Sequence, residues 1–263
     1  MKYLYVLICF TILFSCNAQE KEKLLNIEEL RNKDGKYYFK GYQKNLMVFD
    51  DVINNVLYAT DNLESFSVIK RYDKDLNVKF VNESGIVYVK NDTLISEFFT
   101  GTKDLFVSNS KIYFVTANNE LNKIVFNDKD WQIEVWDRIN NKLVDKDLKG
   151  GMPYLVENTI YYLDKKELKQ ISLNGEESKT ILENVTGDPW IMSRNGNYAF
   201  LMAKKEDVGL KPAIYDFQKN EFDFIDISLS YLVFFSPNDK IAYFYNTKTF
   251  DLKPYNLETK RFN

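Results

Sequence analysis

No histidine occurs among the 263 residues, and both cysteines, Cys9 and Cys16, fall within the first sixteen. Beyond Cys16 the chain therefore has no imidazole base and no thiol nucleophile. Ser-His-Asp and Cys-His hydrolysis and the common zinc ligand sets are excluded there. No Gly-x-Ser-x-Gly elbow, phosphate loop or dinucleotide fingerprint is present. What remains for chemistry is carboxylate pairs, with Glu28-Glu29, Asp50-Asp51 and Asp145/Asp147 as candidates. Two acids about 5 to 9.5 Å apart can cleave a glycosidic bond. Adjacent acids on a strand point to opposite faces, however, and Asp145 and Asp147 alternate with lysine as solvated edges do. The expectation is that these four aspartates are solvated and that no residue is catalytic.

Aromatic residues are the better ligand candidates. In Trp131–Arg138 a strand would place Trp131, Ile133 and Val135 on one side and Glu134, Trp136 and Arg138 on the other. Trp136, Glu134 and Arg138 are thus a candidate ligand-binding face. The alternative is an interblade tryptophan stacked on Arg138. Trp190, after Gly187-Asp188-Pro189, is expected in the core.

Cys16 closes an apolar stretch. Lys2 gives a positive start, and Tyr3 to Phe14 is an uncharged apolar run too short to span a bilayer of about 30 Å as a helix. It reads as a signal peptide. Leu13-Phe14-Ser15-Cys16 resembles the bacterial lipobox, with Phe14 larger than the usual residue. The resemblance implies cleavage before Cys16, a diacylglyceryl thioether on its sulfur and an N-acyl chain such as palmitate. Three chains, at about 0.8 kcal/mol per buried methylene, anchor stably where one is marginal. The alternative is an ordinary signal peptide cut after Ala18. The expected organisation is a lipoprotein signal peptide over 1–15, lipidated Cys16 and a polar tether over 16–26, and one folded domain over 27–263.

Lysine and arginine number 35 against 38 aspartate and glutamate, a net charge of -3. A nucleic-acid partner is not expected, because phosphate binding needs a basic surface. With 45% hydrophobic and 16% aromatic residues, the chain holds enough apolar matter for a large core.

That core is expected to be all-β. A motif of a polar or Gly residue, a β-favouring residue, any residue and then Tyr or Phe ends at Phe39, Tyr58, Tyr88, Phe114, Tyr162, Phe200 and Tyr243. From Phe114 it recurs after 48, 38 and 43 residues, the period of a four-stranded propeller blade. Apolar runs precede it at 105–107, 154–156, 190–192 and 232–234, three of them after glycine turns. Third strands are expected at 135–137, 171–175, 214–216 and 254–256, and fourth strands at 142–144, 179–182 and 221–225. The last blade is left without a fourth strand. Leu24–Leu30 or Lys36–Lys40 is expected to close the ring, so that no sheet edge is open. Upstream spacings of 19, 30 and 26 residues are too short for whole blades. The expectation is a β-propeller of about six four-stranded blades, with five or seven compatible with the length and a β-sandwich as the alternative.

Phe235-Ser236-Pro237-Asn238-Asp239-Lys240-Ile241-Ala242-Tyr243 is similar to the Ser-Pro-Asp-Gly turn and strand of TolB-like and WD-like propeller repeats, and Ser193–Phe200 is a weaker copy. Lipobox and repeats together resemble a Bacteroidota-like envelope lipoprotein, on the periplasmic face of the outer membrane or at the cell surface. Asp92-Thr93-Leu94 resembles the three-residue O-glycosylation site of the same group, or is an exposed turn. The function this implies is a lipid-anchored module that binds a protein or glycan, with no cofactor. The alternatives are a carboxylate-dependent glycan-active enzyme and an immunity-type lipoprotein that neutralises an effector.

Overall fold

The computed structural model describes residues 37–81, 85–91, 93–98, 103–107, 112–118, 122–127, 132–137, 142–157, 159–172, 177–227, 231–246, 249 and 251–263. Every regular element among them is a strand. The first eight are β1 (Tyr37–Gln43), β2 (Leu46–Asp51), β3 (Val56–Thr60), β4 (Ser67–Arg71), β5 (Asn77–Val81), β6 (Gly85–Lys90), β7 (Thr93–Phe98) and β8 (Lys103–Val107). Next come β9 (Ile112–Asn118), β10 (Asn122–Asn127), β11 (Gln132–Asp137) and β12 (Lys142–Lys149), then β13 (Gly151–Val156), β14 (Thr159–Asp164), β15 (Glu167–Ser172) and β16 (Lys179–Glu183). The last are β17 (Val185–Met192), β18 (Tyr198–Lys205), β19 (Gly209–Asp216), β20 (Glu221–Phe224), β21 (Tyr231–Phe235), β22 (Ile241–Asn246), β23 (Leu252–Asn256) and β24 (Arg261–Phe262).

From β9 onward each successive group of four strands forms a separate antiparallel sheet in chain order. These four blades and an eight-stranded sheet, ordered β4-β3-β2-β1-β5-β6-β7-β8, make a propeller-like ring. Six separate blades are not what the sheets resolve into. The reason is local: β1 and β5 run parallel and share a backbone bridge at Gly41 and Val81. Gly41 has φ +132, and a Cβ there would stand 1.9 Å from the Val81 carbonyl oxygen. Only glycine admits that approach.

The core lies between sheets rather than within one. Leu163, Leu168 and Leu182 of the β13–β16 blade pack with Trp190, Leu201 and Tyr215 of the next. Phe200 and Ile214 of that blade meet Phe235 and Phe244 of the last. Met47 and Phe49 of β2 then pack with Phe234 and Tyr243, which joins the last blade to the first strands. Strands buried on both faces read as nearly continuous apolar runs, which is why the sequence shows aromatic clusters more than clean alternation.

Two expectations about strand placement are corrected. The aromatic motif does not mark one strand position: it falls on β6, β14, β18 and β22, the second strands of their groups of four, but on β1 and β9, first strands, and on β3, a third. The 105–107 run is β8, paired to β7, and does not open the sheet that holds Phe114. Aromatic residues suit pleated strands at several positions of a sheet, and the short upstream spacings record jumps between strand positions.

The final blade also carries its own fourth strand. Tyr255 pairs with Phe262 and Asn256 with Arg261. The N-terminal strand is not needed there: Tyr37–Lys40 belong to β1, which pairs with β2 and β5, while Leu24–Leu30 lie outside the described residues. Connections between successive groups of four span only one to six residues. Each group therefore re-enters at the end where the previous one left. The β1–β2, β13–β14, β17–β18 and β21–β22 turns share one end of the ring, and the β2–β3, β14–β15 and β18–β19 turns share the other.

Candidate functional site at the inner-strand turns

Two turns at the first end have the same build. In the β17–β18 turn the Ser193 amide donates to the Tyr198 carbonyl at 2.8 Å and the Gly196 amide to the Ser193 carbonyl at 3.0 Å. In the β21–β22 turn Ser236 donates to Ile241 at 2.8 Å and Asp239 to Ser236 at 3.0 Å. Each serine hydroxyl accepts the amide that opens the next strand, Tyr198 at 3.0 Å and Ile241 at 2.9 Å. Gly196 and Asp239 both take positive φ, 72° and 54°, a region open to glycine and tolerated by aspartate. The likeness of the two segments in sequence is therefore a likeness of hydrogen bonds.

Asp239 ties the two turns together. Its Oδ2 accepts the Ser193 hydroxyl at 3.0 Å and the Asn197 amide at 2.9 Å. Asn195 donates to the Pro237 carbonyl at 3.2 Å. Asp239 is 7% exposed, and its Oδ1 has no hydrogen-bond partner among the described residues. Burial raises its carboxyl pKa, with the Ser193, Asn197 and Asn195 donors opposing the shift.

Around this knot the inner strands are fastened by side chains. The Tyr42 hydroxyl of β1 donates to the Phe235 carbonyl at 2.7 Å and accepts the Phe235 amide at 2.9 Å, closing the backbone edge of β21. The Tyr154 hydroxyl of β13 donates to the Trp190 carbonyl of β17 at 3.2 Å, with the two rings edge to face at 4.6 Å. Burial pushes both phenols well above their ordinary range, so they act as neutral donors. Arg194 donates to Asn45 in the β1–β2 turn at 2.6 Å. Among the described residues this end of the ring exposes Asn45, Asn195 and Asn238 beside the charged side chains of Lys44, Glu157 and Lys240, with Arg194 half-buried. It can hydrogen-bond to a sugar or a peptide backbone.

A second polar cluster lies in the seam between β1–β4 and β5–β8. Lys40 Nζ donates to the Val78 carbonyl at 2.7 Å and stands 3.5 Å from Asp50. Tyr72 donates to the other oxygen of Asp50. Asp50 is 1% exposed. Burial raises its pKa against the pull of Tyr72 and Lys40, and burial lowers that of Lys40 against the pull of Asp50. Asp51, equally buried, caps the β2–β3 turn by accepting the Ile53 and Asn54 amides, both at 3.1 Å. The expectation that Asp50 and Asp51 are solvated is thus wrong. The two side chains do alternate between the faces of β2, but both faces of this strand are covered.

Of the expected ligand face, β11 carries Glu134 and Trp136 two residues apart, with Ile133 fully buried against the β13–β16 blade. Glu134 is half-buried. The Trp136 side chain, Arg138, the side chains of Asp145 and Asp147, Asp92, Glu28, Glu29 and Cys16 lie outside the described residues. Trp190 is core, 2% exposed. The 193–200 and 235–243 segments are legible as a repeat, whereas Asp239, Arg194 and Tyr42 are site residues that the sequence alone does not single out. The polar residues that the two copies share are Ser193/Ser236 and Asn195/Asn238; Asp239 stands where the other copy has Gly196, and Arg194 where it has Pro237, so the repeat itself does not mark them.

No family model and no curated protein sequence matches the chain. Solved structures do. Kluyveromyces lactis Hsv2 superposes with a TM-score of 0.56 at 10% identity, over 84% of this chain and 73% of that one. An oligogalacturonate lyase in complex with manganese gives 0.56 at 12% identity, over 86% and 77%. Kuenenia stuttgartiensis hydrazine synthase gives 0.52 at 9%, over 84% and 76%. The chain has a β-propeller fold. At these identities the likeness is one of fold and carries no activity across.

Proposed function

We propose that the chain is a lipid-anchored envelope propeller of six blades, whose inner-strand turn end captures a protein or glycan. The lipobox-like segment ending at Cys16 and the polar stretch behind it support the anchor. Six blades are supported by the second strands, where Phe49, Tyr88, Phe126, Tyr162, Phe200 and Tyr243 follow one another at 39, 38, 36, 38 and 43 residues. On this reading the eight-stranded sheet is two blades joined by the single Gly41–Val81 bridge. The single observation that favours capture over turnover is how the buried acids are used. Asp50 is committed to Lys40 and Tyr72, Asp51 and Asp216 to turns, and Asp239 to Ser193 and Asn197, so each of these buried acids already has a structural partner.

The test is capture of envelope material by the tagged full chain, compared with Arg194→Ala/Asn195→Ala. Partner recovery falling at least about tenfold, equivalent to 1.4 kcal/mol, is expected for loss of two such hydrogen-bonding side chains. Glycan cleavage by the purified protein, abolished by Asp239→Asn, would replace this reading with the carboxylate enzyme.

A further inference from the structure

The large hydrophobic side chains that are exposed among the described residues are unevenly placed. They are Tyr38, Val52, Ile53, Val208, Leu210 and Phe262. All but Phe262 lie at the end of the ring opposite the inner-strand turns. Val52 and Ile53 form the β2–β3 turn, 44% and 55% exposed, and Tyr38 starts β1 beside them, since Tyr37 pairs with Asp51. Val208 and Leu210, 56% and 53% exposed, form the tip of the β18–β19 hairpin. Single exposed apolar residues are ordinary; several at the tips of turns on one end are not.

Lysines flank the larger tip. Lys204 pairs with Leu210 and Lys205 with Gly209 across the hairpin, Lys211 follows, and the β14–β15 turn of the preceding blade is Lys165-Lys166. Glu206 and Asp207 are the opposing charges at the tip. Apolar side chains ringed by lysine stems suit the boundary between acyl chains and anionic headgroups, where lysine buries its methylenes and keeps its ammonium wet.

Where the chain enters the ring points the same way. β1 begins at this end, and Cys16 precedes Tyr37 by 21 residues, a contour of at most about 75 Å. A lipid on Cys16 would hold the tips near a bilayer, so that even weak insertion becomes an intramolecular event. We propose that the β2–β3 and β18–β19 tips insert into the surface of the anchoring membrane, setting the ring on the bilayer with its inner-strand turns facing away. This rests on the lipid-anchor reading.

The test places an environment-sensitive fluorophore at Ile53→Cys, Val208→Cys or Asn238→Cys in the lipidated full chain, reconstituted in vesicles containing anionic lipid. Blue-shifted emission, quenched by spin-labelled lipid, is expected at 53 and 208, with water-like, unquenched emission at 238. Water-like emission at all three positions in vesicle-bound protein overturns the proposal. So does shielding of 53 and 208 that appears in native envelopes and is missing in pure vesicles, because the tips then dock a protein. Failure of the anchor reading is separate: Cys16→Ser would then leave membrane retention in cells unchanged. Soluble labelled protein added to vesicles would still show whether the tips insert.

Discussion

The seam between β1–β4 and β5–β8 and the seam between β17–β20 and β21–β24 do the same architectural task with different forces. The first has an apolar floor of Val48, Leu57, Val78 and Ile86, but it also buries Lys40 and Asp50 and adds the Lys70–Glu97 pair at 2.7 Å. It even shares a backbone bridge. The second is held by interlocked rings, with Phe200 edge-on to Phe244 at 5.7 Å and Tyr198 stacked on Phe235 at 6.4 Å, and by the knot at Asp239. Directional bonds between buried charges fix a single register and tolerate little change. Ring packing is non-directional and adapts by small rotations. The first seam should therefore be the more fragile to point substitution, although it looks the more heavily bonded.

Gly41→Ala should have the largest effect. The added methyl meets the Val81 carbonyl oxygen at 1.9 Å, and the residue sits at φ +132. No flexible side chain can yield, because the obstacle is backbone. A loss of about 4 kcal/mol or more is expected, at the upper limit of single substitutions, read as a fall in denaturation midpoint. A variant that melts with the parent would mean the β1–β5 bridge does not hold this seam. Gly196→Ala, in the β17–β18 turn, also sits at positive φ, +72, but its added methyl meets only side-chain carbons of Val156 in β13, the nearest at 3.0 Å, and should cost less.

Lys40→Met comes next. It leaves Asp50 buried with Tyr72 as its donor and no cation, and breaking a buried pair from one side costs about 3 kcal/mol. Lys40→Met/Asp50→Asn should recover part of the loss, since the uncompensated charge goes too. Equal destabilisation in the single and double variants would mean that Lys40 works through its bond to Val78 rather than through charge.

Legibility from sequence followed the same division. From β13 onward the described residues pack largely by apolar shape, and the strands are legible there because residue type reports burial directly. The Ser193 and Ser236 turns could also be paired by eye. The phase is not legible: Phe39 and Phe114 lie on first strands and Tyr58 on a third, because an aromatic residue suits more than one strand position. Asp50 failed for a related reason. A carboxylate looks the same in a sequence whether it meets water or, as here, a lysine 3.5 Å away on an adjacent strand. The merging of the first eight strands turned on one contact between Gly41 and Val81, forty residues apart, which no local pattern announces.

Asp239→Asn should give the smallest effect, and pH is what reveals it. Burial raises the carboxyl pKa of Asp239 in the folded protein above its unfolded value, near 3.9. Where folded pKa exceeds unfolded pKa, the native state holds its proton longer, so the contribution of this group to stability is greatest below about pH 4 and is lost as pH rises through the folded value. Asp50 shifts in the same direction and adds to the fall. Asparagine tolerates the positive φ of this position, and its oxygen can still accept from Ser193 and Asn197. At neutral pH the substitution should therefore change stability by no more than about 1 kcal/mol. Between pH 4 and 7 it should flatten the decline, leaving the share that belongs to Asp50. Denaturant midpoints across that range are the measurement. An unchanged slope would show that Asp239 ionises freely in the folded ring, with water meeting its second oxygen, and that the turn knot holds by its neutral hydrogen bonds.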